Sequence, residues 1–231
     1  MTDRLTRASE PPLKGEVTTI ELDRLERSVV RRSAESRATI PTMEFNSVIV
    51  VDALLEREAE LGCGIATLVI AAAAKALARV PRVNGSYRDG HYELYSRINI
   101  GVTIVDQGVY ATPTIFDADA KPLLDIATEL SSYYVRARED ELRPGELTGA
   151  TFTVVDSSMY DVVSVSPMIL PPQAGALSFG PVRDVPVVRG GKVVPGSTMQ
   201  LWLSVDHRII YGHHAAAFLE EVKACLEEVR L

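Results

Sequence analysis

The sequence predicts an α/β protein, with helices packed on a mixed β-sheet as a two-layer sandwich. Three observations carry the prediction. Helical and strand patterns mix along the chain without the repeating strand–helix–strand period of a doubly wound sheet. Ile65–Arg79 is very apolar and alanine-rich, which marks a buried helix. Short runs rich in Val, Ile and Thr are bounded by Gly, Pro, Asn and Asp, the pattern of strands joined by turns. The chain has 231 residues, and no composition shift after residue 15 divides it, so one large domain is expected.

Residues 1–15 are polar, contain Pro11, Pro12 and Gly15, and read as a flexible N-terminal arm. Leu22–Glu35 has helical spacing of Leu22, Leu25, Val29 and Val30, with basic residues around it, and Ile40-Pro41 stops it. Thr42–Val51 reads as a strand. Asp52 is placed to cap a helix through Leu54, Leu55 and Ala59, which Gly62 and Gly64 break before the buried helix. After a turn-rich stretch at Pro81–Gly90, strands are expected over Tyr92–Ile100, Val102–Val105 and Val109–Ile115, with Gln107-Gly108 as a hairpin turn. A helix is expected over Asp119–Ala137, with Pro122 in its first turn. Thr151–Val155, Ala176–Phe179, Val185–Val188 and Lys192–Val194 read as strands, and Gly190-Gly191 as a hairpin turn.

Composition excludes several function classes. The net charge is −7 and there is no long Lys/Arg cluster, which disfavours nucleic-acid binding. The two cysteines, Cys63 and Cys225, have no disulfide or metal-site spacing, and the four histidines show no zinc pattern. The longest apolar run, Ile65–Ala74, is too short to span a bilayer, and the N-terminus has no apolar leader. A cytoplasmic protein without a membrane or nucleic-acid partner is expected.

Leu201–Gly212 is the stretch most charged with chemistry. Trp202, Ser204 and Asp206 alternate with Leu201, Leu203 and Val205, as in a half-buried strand. That strand delivers Asp206-His207-Arg208 to its end, followed by a turn at Ile209–Gly212 and a helix starting near His213. A histidine there serves either as a general base or as a plug for the turn. His213 and His214 read as residues of the helix's first turn.

Several segments follow one another in order. They are Arg31-Arg32 with Glu35-Ser36 and Ala38-Thr39-Ile40-Pro41; Asn99-Ile100-Gly101-Val102; Asp117-Ala118-Asp119; Leu147-Thr148-Gly149 before Thr151-Phe152-Thr153; Pro171-Pro172-Gln173-Ala174 with Gly180; and Asp206-His207-Arg208 with Gly212. This ordered set resembles the catalytic domain of the dihydrolipoamide acyltransferases, the cores of 2-oxoacid dehydrogenase complexes. The resemblance covers about residues 20–231 and implies a chloramphenicol acetyltransferase-like two-layer sandwich, assembled as a homotrimer with active sites between subunits. It implies acetyl-CoA as co-substrate, no metal, and His207 as the general base that takes the acceptor's proton. Residues 16–231 would then be the acyltransferase catalytic domain, without a lipoyl or subunit-binding domain.

The sequence departs from the family pattern D-H-R-x-x-D-G at Tyr211, where an aspartate is usual. That aspartate commonly pairs with an arginine of the first helix, so Arg32 or Arg31 loses its partner, or Tyr211 offers a phenol instead. Val155 stands where the family has a serine that stabilises the oxyanion, leaving Thr153, Ser157 or Ser158 to replace it. Loss of such a donor costs about 10²–10³ in rate. The expected activity is transfer of an acetyl group to a small-molecule hydroxyl, for example a tetronate hydroxymethyl group of a natural product. The alternatives are a core acting on lipoyl groups of a separate protein, and a non-catalytic trimeric scaffold.

Overall fold

In the computed structural model, residue 15, residues 17–106 and residues 109–231 are described. The elements in chain order are α1 (Arg24–Thr39), β1 (Thr42–Val50), α2 (Asp52–Leu61), α3 (Ile65–Arg79), β2 (Gly85–Arg88), β3 (His91–Leu94), β4 (Ile100–Asp106) and β5 (Val109–Ala111). There follow β6 (Thr114–Ile115), α4 (Leu123–Arg138), β7 (Phe152–Asp156), β8 (Gly175–Phe179), β9 (Arg183–Arg189), β10 (Lys192–Asp206) and α5 (Gly212–Glu227). Single 3₁₀ turns lie at Pro81–Val83 and Pro144–Leu147. The expected turn at Gln107-Gly108 lies outside the described residues, as does the arm apart from Gly15.

One sheet runs in the order β1-β10-β8-β7-β4-β5, with β6 on β4 and β9 on β10. It is mixed, as expected: β4–β7 and β7–β8 are parallel, and β1–β10 and β10–β8 are antiparallel. The strand period of two separates its faces. One row holds Phe45, Leu203, Leu177 and Val154 side by side. This apolar face packs on the helices: Phe152 of β7 meets Phe218 of α5 with ring centroids 5.4 Å apart, and both side chains are fully buried. The helix α3 lies inside this core as predicted, with Leu68, Val69, Ile70 and Leu77 all at 0% exposure. Its apolar run is a core helix, and no single helix among the described residues is long and apolar enough to cross a membrane.

The second face carries the alternate residues, Ser204, Ala176 and Thr153 in one row and Trp202, Ser178 and Val155 in the next. The sequence pattern predicts a solvated face here. Instead Ser204 and Ser178 are fully buried and Trp202 is half-buried, because residues 157–172 cross this face as a cover. The cover is hydrogen-bonded rather than greasy. Ser178 Oγ donates to the Val165 carbonyl, Ser164 Oγ to Gln200 Oε1 at 3.0 Å, and Ser36 of α1 to the Ile169 carbonyl at 2.7 Å. Gly180 admits the cover closely, since a Cβ there would collide with the Val163 carbonyl.

Other differences have local causes. Asp52 is the first residue of α2, not its cap: its carboxylate accepts the Ser197 N–H at 3.1 Å and pairs with Arg189 at 2.5 Å, tying α2 to the β9–β10 hairpin. That backbone bond, then Arg189, holds its carboxyl below the usual range. The helix at the expected Asp119 start begins at Leu123, because Pro122 takes the N-cap position with extended ψ. Tyr92–Leu94 leaves the main sheet and pairs with β2. Lys192–Val194 and Leu201–Asp206 join into one 15-residue strand. Gly190 and Gly191 supply the positive φ of the β9–β10 turn, as expected. Cys63 and Cys225 are buried free thiols, pushed up in pKa by burial.

Replacing Gly180 by alanine forces the cover off the sheet. A loss of about 1–3 kcal/mol is expected from overpacking against backbone, read as a lower urea midpoint. An unchanged midpoint would mean the cover yields freely.

Candidate active site

The strand β10 sets the position of His207 through its backbone. Asp206 N–H donates to the Ala174 carbonyl at 2.8 Å, and His207 N–H donates to the Pro41 carbonyl at 3.0 Å. The chain is therefore gripped from both flanking strands at the point where it leaves the sheet. It then turns tightly, with Ile209 and Ile210 N–H both donating to the Asp206 carbonyl.

The turn places the Ile210 carbonyl 3.0 Å from His207 Nδ1. A carbonyl oxygen only accepts, so Nδ1 carries the ring proton and Nε2 keeps the lone pair. The His207 ring is exposed, so that lone pair is open to a substrate. This is the protonation state and orientation that a general base needs.

Asp206 does not orient the His207 ring. Its carboxylate is buried and is taken by Arg208, with Nε at 2.9 and 3.1 Å, Nη2 at 2.6 Å and the Arg208 N–H at 3.0 Å. The hydrogen bond to Asp206 raises the Arg208 pKa further. The guanidinium also lies 4.0 Å from the Tyr87 ring centroid, which pins the turn to the β2–β3 hairpin. Such a pair is costly to break, about 3–5 kcal/mol when one partner is lost. Its role is to anchor the turn.

The arginine at this turn is neither Arg31 nor Arg32. Arg82, from the 3₁₀ turn after α3, donates from Nε to the Ile209 carbonyl at 2.7 Å, and its guanidinium lies 3.8 Å from the Tyr92 ring centroid and 5.9 Å from that of Tyr211. The turn-rich stretch 81–90 held no local sign of this. Tyr211 itself packs edge-on to His207, with centroids 5.9 Å apart, and its backbone N–H donates to His214 Nδ1 at 3.3 Å. His214 therefore holds an unprotonated Nδ1; burial first, then the charges of His213 and Arg82, lower its pKa. Gly212 opens α5, and a Cβ there would meet nothing within 4 Å.

Arg32 sits elsewhere, in a cavity of about 490 Å³ between α1 and β5 that Arg24, Ser28, Tyr110 and Thr112 also line. Burial raises the Tyr110 phenol pKa and the Arg32 charge opposes that shift. Beside Thr112 the backbone of β4 packs closely: a Cβ at Gly101 would meet Ala150 Cβ and Thr112 Cγ2 at 3.0 Å and Thr153 Oγ1 at 3.4 Å.

Of the three hydroxyls expected to replace the oxyanion serine, those of Thr153 and Ser157 are engaged. Ser157 Oγ donates to the Phe179 carbonyl at 2.7 Å and is buried, so it closes the end of the β7–β8 pair and has no proton to offer a substrate. Ser158 is exposed beyond it. Thr153 is buried with Oγ1 2.7 Å from Gln173 Oε1. The hydroxyl donates to that oxygen, so of the two groups the Gln173 amide nitrogen keeps donor protons. The structure thus gathers His207, Asp206, Arg208, Tyr211 and Gly212 on one turn. Among the described residues, neither Thr153 nor Ser157 hydrogen-bonds to His207, and no group of three or more His, Cys, Asp or Glu is arranged to hold a metal.

His214 gives the site a pH signature. Its pKa is lowered in the folded state from 6.5, so as pH falls below 6.5 the unfolded chain takes the proton first. Stability is full above that pH and declines toward the lowered folded value. The stability difference between the protein and His214→Gln should be constant above pH 6.5 and change as the pH falls below it; a difference that stays constant throughout would remove His214 as the cause.

Comparisons with known proteins agree with this geometry. A family model described as 2-oxoacid dehydrogenases acyltransferase (catalytic domain) matches residues 14–231. The chain is 34% identical over 249 residues to the mitochondrial dihydrolipoyllysine-residue acetyltransferase component of the pyruvate dehydrogenase complex of Caenorhabditis elegans, covering 95% of this chain and 49% of that protein. It is 30% identical to the corresponding component of Zymomonas mobilis, covering 95% and 53%. The chain spans about half the length of these relatives. Among solved structures, a probable dihydrolipoamide acetyltransferase from Listeria monocytogenes matches with a TM-score of 0.87 at 26% identity, over 92% of this chain and 95% of that one. A chloramphenicol acetyltransferase shares the fold at a TM-score of 0.58 and 16% identity, over 85% and 94%. With the family model spanning all the described elements and the histidine turn in its place, the chain belongs to the 2-oxoacid dehydrogenase acyltransferase family, as a catalytic domain with the chloramphenicol acetyltransferase-like fold.

Proposed function

We propose that this domain transfers an acyl group, acetyl by preference, between coenzyme A and a lipoyl thiol carried on a separate chain or segment. The observation that carries the reading is His207: Nδ1 is committed to the Ile210 carbonyl and Nε2 is open. In the forward step Nε2 takes the acceptor S–H proton as sulfur bonds to the thioester carbonyl carbon. The bond from that carbon to the departing sulfur breaks, and the imidazolium returns the proton to it. Gln173, oriented by Thr153, is the donor we assign to the carbonyl oxygen in place of the absent serine. Arg24 and Arg32 in the α1–β5 cavity suit an anionic co-substrate such as coenzyme A.

The expected small-molecule hydroxyl acceptor, including a tetronate, becomes the second reading. Relatives across bacteria and an animal are named for a dihydrolipoyllysine residue, which supports a lipoyl acceptor. The hydroxyl reading keeps one specific observation: Val155 and Tyr211 occupy two positions where the family's chemistry is polar. The scaffold reading is weakest, since an inert protein has no need of a histidine held in one tautomer with its base nitrogen free.

A homotrimer with shared sites completes the reading. Exposed apolar side chains gather before and along α1 (Val17, Ile20, Val30) and on the cover (Met159, Val163, Val165), the marks of a surface another copy buries. Within one chain Thr153 and Gln173 make no hydrogen bond to His207, so a second copy would bring the base to them.

Incubation with acetyl-CoA and either dihydrolipoamide or a panel of hydroxyl compounds, read by mass spectrometry, separates the acceptors. Acetyl-dihydrolipoamide is the expected product; acetyl ester alone favours the hydroxyl reading. His207→Ala should lower turnover by about 10²–10⁴, and near-normal turnover would end its assignment as base. Light scattering should give a mass near three chains; a clean monomer would rule out shared sites.

A further inference from the structure

We propose that Arg82 is a positioning residue that holds His207 in its base-competent tautomer, acting through the peptide between Ile209 and Ile210. The inference rests on His207 being the base, and the test below separates the two.

The geometry forms one continuous path. Arg82 stands in the Pro81–Val83 turn that follows α3, beside the fully buried Val83, so its backbone is set by the core. Its Nε donates to the Ile209 carbonyl at 2.7 Å. That carbonyl belongs to the peptide joining Ile209 to Ile210, and pinning this peptide plane limits where the next carbonyl, that of Ile210, can point. The Ile210 carbonyl is the group 3.0 Å from His207 Nδ1. Without the Arg82 bond that peptide is held from inside the turn only, by the Ile210 N–H bond to the Asp206 carbonyl.

The guanidinium is itself held. It lies 3.8 Å from the Tyr92 ring centroid, and Tyr211 approaches the same cation at 5.9 Å. A cation held by aromatic faces keeps its planar fork in one orientation, which a lysine ammonium does not reproduce. Tyr211 thus meets the arginine through its ring. The arginine comes from the turn after α3 instead of from α1. Asp206, the nearest carboxylate on the turn, is fully occupied by Arg208 and does not compete.

The test uses the full chain labelled with ¹⁵N histidine, with the His207 ring nitrogens observed by long-range ¹H–¹⁵N correlation at a pH where the ring is neutral, and steady-state kinetics alongside. The protein should show His207 protonated at Nδ1. Arg82→Ala and Arg82→Lys should both move His207 toward the Nε2-protonated form and lower kcat by about 10–100-fold, with KM for both substrates within about twofold. Tyr92→Leu removes the stacking from an exposed hairpin face and should give a smaller shift in the same direction; it carries the test if the Arg82 variants do not fold. A folded variant that keeps His207 wholly Nδ1-protonated, or that changes KM alone, overturns the inference. If the unaltered protein transfers no acyl group at all, the base reading fails, while the tautomer shift still decides whether Arg82 positions the ring.

Discussion

The grip of β10 on both neighbours is the constraint on which the site depends. Over Thr198–Asp206 this strand pairs antiparallel with β1, and over Leu201–Val205 with β8 as well. Its last backbone donors continue those ladders, Asp206 toward Ala174 and His207 toward Pro41. A catalytic side chain on a free loop loses much of its bound-state entropy only when substrate arrives. Here that ordering is already done by the sheet, and only the five residues 207–211 separate the last ladder residue from α5.

The charges around the turn are arranged so that His207 is left without a carboxylate partner. Asp206 and Arg208 cancel each other within a buried multidentate pair. His214 is kept neutral and spends Nδ1 on the Tyr211 N–H. Arg82 faces aromatic rings and a carbonyl, not a carboxylate. A charge relay from Asp206 to His207 is absent from this arrangement; a main-chain carbonyl sets the tautomer instead. Such a carbonyl orients the ring without placing a carboxylate beside it.

The two faces of the sheet divide the labour. The apolar face gives the core, through Phe152, Phe218 and α3. The polar face, closed by a hydrogen-bonded cover, holds the Thr153–Gln173 pair and leaves apolar side chains outside. A buried polar face is tolerable only when nearly every group finds a partner, and here most do; Ser204 Oγ and Trp202 Nε1 are buried without one. The proposed trimer and the proposed donor Gln173 both belong to this face.

What the sequence determined by itself was periodic or ordered. The mixed α/β class, the buried α3, the Gly190-Gly191 turn and the end of α1 before Pro41 follow from local spacing and from backbone limits on Gly and Pro. His207 at a strand end was legible because the strand pattern runs straight into the turn. Tertiary structure decided what no local pattern encodes. The alternation of Trp202, Ser204 and Asp206 looks solvated, yet a segment about forty residues earlier covers it. Ser157 reads as a free hydroxyl until β8 brings the Phe179 carbonyl to it. The sequence pointed to Arg31 or Arg32 of the first helix, whereas the arginine that meets the turn is Arg82, chosen by where α3 ends in space, more than 120 residues before the turn it touches. A hydrogen bond is directional and short-ranged, so which donor meets which acceptor is settled only once the core has fixed the positions of both.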